Sequence, residues 1–159
     1  MSKRHYGIIC LNFVLYLCVL IWVILFHGTL ETLNSAFDPD LRSLNFYLYF
    51  NGRESILNML IFVPVGLYID ILLNRKVYMW KFGAILVTTL LFEILQFIFA
   101  IGGTDIMDII NNSIGGLVGL AICHCARRIL KSHFDKIVVY SSTVCTLVLC
   151  VIMLFVPIR

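Results

Sequence analysis

The chain has 159 residues, 61% of them hydrophobic and 13% charged, with a mean hydropathy of +0.99. A soluble domain of this size carries about a quarter charged residues, so the composition points to an integral membrane protein. The net charge of +3 does not indicate a nucleic-acid partner, because the basic residues flank apolar stretches instead of pooling on one patch.

Five apolar stretches, at 6–26, 55–73, 80–101, 108–126 and 137–157, approach the ~20 residues that cross a bilayer. The first follows Lys3, Arg4 and His5 and resembles a secretory signal. Its apolar run is too long for a signal core and no small-x-small cleavage site follows, so it reads as a retained first helix. The expected fold is an all-α polytopic membrane bundle of about five transmembrane helices, forming a single domain over 1–159.

Orientation follows from Lys and Arg. In a five-span arrangement nine of the twelve lie on one side, namely Lys3, Arg4, Arg75, Lys76, Lys81, Arg127, Arg128, Lys131 and Lys136. Only Arg42, Arg53 and Arg159 lie on the other. The positive-inside bias then puts the amino terminus inside and the carboxyl terminus outside.

After the first span comes the longest loop, 27–54, which carries Phe46, Tyr47, Tyr49 and Phe50 around Asn45. This is either an interfacial segment with its aromatics at headgroup level or a lid over an outer site. Within the second span Asn58, Phe62 and Gly66 recur every four residues on one face, and Pro64 predicts a kink near Leu60. Asp70, near the inner end, is expected to pair with Arg75 or Lys76.

In the third span Glu93 and Gln96 share a face, with Glu93 roughly 12 Å below the outer end. A lone carboxylate at that depth needs a cation, an arginine, a hydrogen-bond donor or a proton. The fourth span opens on Gly102, Gly103 and Thr104, then presents Asp105, Asp108, Asn112, Gly115 and Gly119 within one helix face. Asp105 suits an N-cap; Asp108 and Asn112 lie too deep for that role. Gly115 and Gly119 form a small-xxx-small pair, for which the third helix, antiparallel across a tight turn, is the expected neighbour. That arrangement brings Glu93 to the depth of Asn112 and Gln96 towards Asp108, with Asn58 and Arg53 approaching from the second helix.

The cysteines carry little chemistry. Cys10, Cys18, Cys145 and Cys150 lie within apolar spans. Cys123 and Cys125 fall at the reducing inner side, where no disulfide is expected. The spacing of Cys123, His124, Cys125 and His133 matches no usual zinc site.

The polar residues also form a recognisable series. Asn58-Met-Leu-Ile-Phe62-Val-Pro64-Val-Gly66 is followed by Glu93-Ile-Leu-Gln96, and then by Asp105, Asp108, Asn112, Gly115 and Gly119. Arg42 and Asn45 precede them as Arg-x-x-Asn. In this order the motifs resemble the VanZ-like family of small bacterial membrane proteins, over roughly 42–126. The resemblance implies a multi-pass protein of the bacterial plasma membrane, connected with resistance to the glycopeptide teicoplanin. Family members commonly place an Arg shortly before the first Asp of the third motif, where this chain has Gly102-Gly103-Thr104. The two acids here then need another partner, such as Arg53 or a bound cation.

Three functions fit these residues. The first is a non-enzymatic envelope protein whose outward cluster of Asn58, Glu93, Gln96, Asp105, Asp108 and Asn112 binds a lipid, a wall precursor or a partner membrane protein. The second is an enzyme acting on a lipid-linked phosphate or sugar. Its divalent cation, if any, would be held by Glu93, Asp105 and Asp108; no other cofactor is expected. The third is a small proton-coupled carrier using Glu93. Against all three stands a purely structural clasp, in which the same groups hydrogen-bond between helices and fix their packing.

Overall fold

The computed structural model describes residues 3–26, 43–45, 47, 52–99 and 103–155. Five helices account for nearly all of these: α1 (Lys3–Phe26), α2 (Gly52–Leu72), α3 (Tyr78–Phe99), α4 (Ile106–Leu130) and α5 (Phe134–Phe155). The first four include stretches long and apolar enough to cross a membrane, and α5 contains the shorter apolar stretch Lys136–Val148. Large apolar side chains such as Leu11, Leu60, Leu91, Ile98, Ile122 and Leu147 are exposed, as required where lipid rather than water is the solvent. The all-helical membrane bundle expected from hydropathy is therefore the observed architecture.

Two three-residue strands, β1 (Ser43–Asn45) and β2 (Gly103–Asp105), escape any reading of periodicity because they are too short to show one. They pair in parallel, with Ser43 opposite Gly103 and Asn45 opposite Asp105. The long first loop is thus stitched to the segment that starts α4. Arg42, Phe46, Tyr49 and Phe50 lie outside the described residues, and Tyr47 is exposed.

The closest helix pair is α2 with α4, not α3 with α4 as adjacency in sequence suggests. A Cβ on Gly115 would run into the Met59 carbonyl, and one on Gly119 into the Val63 carbonyl. In return, a Cβ on Gly66 would meet the Gly116 carbonyl. Three glycines, Gly66, Gly115 and Gly119, thus let two backbones touch, the geometry that small-xxx-small patterns serve in membranes. The neighbour of the Gly115–Gly119 stripe is therefore the second helix. On its other side α4 meets α3, where Gly116 faces the Ile85 side chain.

Polar bonds tie on the outer helices. Asn12 of α1 is buried and donates to Ser142 Oγ at 3.1 Å and Thr143 Oγ1 at 3.0 Å on α5. The Tyr16 hydroxyl donates to the Ile61 carbonyl at 2.6 Å, in the turn of α2 that Pro64 weakens by lacking an N–H.

Asp70 has a different set of partners from those its neighbours in sequence suggest. It accepts from Lys81 Nζ at 2.6 Å and from an Arg127 guanidinium nitrogen at 3.0 Å. Arg75 and Lys76 belong to the turn after α2 and are exposed, whereas α3 and α4 bring their cations back across the end of α2.

Candidate functional site

At the end of the bundle where α2 and α4 begin, polar side chains from three helices converge on one cavity. Asn58 of α2, Glu93 and Gln96 of α3, and Asp108 and Asn112 of α4 line it together with Ile61, Phe62 and Phe92. Its volume is about 40 Å³, room for a few waters at ~10–15 Å³ of probe volume each. Phe62 and Phe92 meet edge to face with centroids 5.8 Å apart and close the apolar side.

Each polar group has an identified position. Asn58 Nδ2 donates to Asp108 Oδ1 at 2.6 Å, joining α2 to α4. The Asp105 backbone N–H donates to Glu93 Oε2 at 3.2 Å, joining β2 to α3. Asp105 is itself the N-cap of α4, extended at φ −119° and ψ 128°, and its Oδ1 accepts from the Met107 N–H at 2.8 Å. Asn112 Nδ2 donates to Thr89 Oγ1 at 3.0 Å, one turn further into the bundle. Glu93 is 3% exposed and Asn112 6%, so both are withdrawn from the surface; Asp108, Gln96 and Asn58 are half-buried.

The pairing of α3 with α4 is one turn out of the register expected from a tight turn. Glu93 lies with Asp105 and Asp108, and Thr89 takes the place opposite Asn112. The reason is the backbone before α4. Helix α3 ends at Phe99, and Gly103–Asp105 runs extended as β2. Three extended residues cover ~10 Å where three helical ones cover ~4.5 Å, a difference of about one helical turn. The start of α4 is therefore set deeper, and its acids reach Glu93 directly.

Arg53 is exposed at the start of α2 and makes no ion pair among the described residues, so it is not the observed partner of the acids. A neutral amide, Asn58, takes that role at Asp108. Asn45 reaches the site through its backbone, in register with Asp105. Arg42 lies outside the described residues. Among the described residues no three His, Cys, Asp or Glu side chains are grouped to hold a metal, so Glu93, Asp105 and Asp108 do not form a ready ligand set. Thr89 is fully buried, and a threonine in an apolar span has no distinctive spacing in the sequence. Its one signal there is a position one turn before Glu93.

The cavity wall is thus rich in acceptors. Two carboxylates and the amide oxygens of Asn58, Gln96 and Asn112 converge beside the apolar Ile61, Phe62 and Phe92, an arrangement that favours a donor-bearing group. A family profile described as VanZ/LLP1 matches residues 13–130, most of the chain.

The chain belongs to the VanZ/LLP1 family. It is also 40% identical over 130 residues to "Protein VanZ" of Enterococcus faecium, covering 79% of this chain and 80% of that one. No solved structure matches it. The VanZ/LLP1 match begins well before the motifs at 42–126 and runs from within α1 to the end of α4. It therefore takes in every cavity-lining residue, both strands and the glycine contact between α2 and α4, and leaves out α5. Together with its apolar helices, membership of this family makes the chain a membrane protein.

Proposed function

We propose that this protein is a non-enzymatic component of the bacterial plasma membrane that lowers glycopeptide action at the cell surface. Its cluster of Asn58, Glu93, Gln96, Asp108 and Asn112 opens outward and binds a polar group of a lipid, a wall precursor or a partner membrane protein. The positive-inside bias supports the orientation, with nine of the twelve Lys and Arg at the opposite end of the helices. The likeness to Protein VanZ supports the link to glycopeptides of the teicoplanin type.

This reading rests on the convergence of two buried or half-buried acids with three amides on one small cavity. A purely packing role needs interhelical bonds but no space between them. The cavity is far smaller than the ~300 Å³ at which sites for whole small molecules begin. Its partner therefore offers one small donor, an ammonium, amide or hydroxyl, rather than entering whole.

The experiment is deletion and complementation in the native host, read by glycopeptide susceptibility and by mass spectrometry of membrane lipids and wall precursors. The expected result is raised susceptibility on deletion, restored by the wild-type gene, with precursor and lipid pools unchanged. Accumulation of one lipid-linked species in the deletion strain would instead reveal an enzyme.

A further inference from the structure

A second polar site lies at the other end of α2, twelve residues or roughly 18 Å along the helix from Asn58. A cavity of about 360 Å³ is bounded there by Asp70, Asn74, Lys76, Tyr78, Lys81, His124 and Arg127, with Val77. Three cations face one carboxylate, so the wall carries a surplus of two positive charges with His124 neutral. The family motifs do not include these residues, and the acidic cluster does not need them.

The cations are built in. Lys81 and Asp70 are 5% and 3% exposed and bonded at 2.6 Å, and Arg127 joins them at 3.0 Å. The Arg127 guanidinium lies over the Phe134 ring at 4.5 Å, and Lys81 Nζ lies 5.0 Å from the Tyr78 centroid. Both long side chains are thereby held in one place. Asp70 engages one of the five N–H groups of the guanidinium at 3.0 Å. Tyr78 is held in turn by a 3.0 Å bond between its hydroxyl and His124 Nδ1.

A separate feature favours the same sign of ligand. Helix α3, 22 residues long, begins at Tyr78 on the wall of this cavity. Val77 before it offers no side-chain acceptor, and the first turn holds no acid. The positive end of the helix therefore faces the cavity without an anionic side chain of its own.

We infer that the pocket of Lys76, Lys81, His124 and Arg127 binds a phosphate group, presented by an anionic phospholipid headgroup or by free phosphate. On the orientation proposed above it opens at the inner leaflet, where basic pockets between helices meet anionic headgroups. Lys76 is exposed at the rim and supplies the mobile contact; Arg127 supplies the fixed one.

The test uses the full-length protein in phosphatidylcholine nanodiscs, with either increasing phosphatidylglycerol or added inorganic phosphate, and reads thermal stability. Lys76→Gln and Arg127→Gln are compared with Arg128→Gln, which removes the same charge from the same end but outside the pocket. The phosphatidylglycerol response should weaken by roughly five- to tenfold in apparent affinity for each pocket cation removed. The Arg128→Gln response should equal wild type. The same variant pattern with inorganic phosphate supports the phosphate site and assigns it to a soluble anion. Equal loss in all three variants, or no response to either anion, overturns the inference. Because Lys76 is exposed and outside the ion triad, its variant keeps the test decisive should Arg127→Gln fail to fold.

Discussion

Asn58, near the start of the second helix, donates to Asp108 Oδ1 at 2.6 Å, across 50 residues of sequence. The bond crosses the seam where glycines let α2 and α4 touch, so a carboxylate that sequence alone leaves unpartnered is held by an amide. Asn58→Ala removes that donor from a half-buried acid. The expected cost is about 1 kcal/mol, seen as a lower melting temperature in detergent. Unchanged stability would show that the carboxylate finds a replacement donor.

The glycine contact makes a sharper prediction. Gly115→Ala and Gly119→Ala place a methyl against the Met59 and Val63 carbonyls and force the helices apart, at about 1–3 kcal/mol each. Gly83→Ala is the control, because a Cβ there meets nothing within 4 Å. It should be neutral or stabilising by up to about 1 kcal/mol through helix propensity. Thermal unfolding of the three variants checks the contrast.

The ion triad should behave as a unit. Asp70→Asn leaves buried Lys81 without its counter-charge, at a cost of about 3 kcal/mol. Asp70→Asn combined with Lys81→Met should recover much of that loss, because both desolvated charges are gone. A double-mutant cycle with additive losses would contradict the pairing.

Orientation is checked by thiol labelling of single cysteines in a cysteine-free background. Arg53→Cys should react with a membrane-impermeant reagent in intact cells, and Arg75→Cys only after permeabilisation. Both positions are exposed, so reactivity reports sidedness and not burial.

Hydropathy made the five helices legible, since lipid-exposed spans of this length leave few alternatives. The face shared by Asp105, Asp108, Asn112, Gly115 and Gly119 was legible for the same periodic reason. Its neighbours were not. Periodicity gives a direction around a helix and says nothing of which helix stands there: adjacency in sequence suggests α3, whereas α2 occupies the stripe. The register of Glu93 depended on three extended residues, Gly103–Asp105, whose pairing with Ser43–Asn45 spans a long loop. Asp70 illustrates the same limit: Arg75 and Lys76 are near in sequence, while Arg127, 57 residues away, is near in space.

In the proposed function the carboxylates at the α2–α4 entrance carry the protein's effect. That role is tested most directly by glycopeptide susceptibility in a deletion strain that expresses Asp108→Asn at wild-type membrane abundance. The amide is nearly isosteric and can still accept from Asn58, so the fold should persist while the acid is lost. The expected result is susceptibility equal to that of the uncomplemented deletion strain. Full protection from Asp108→Asn would contradict that role and leave the cluster as a packing clasp.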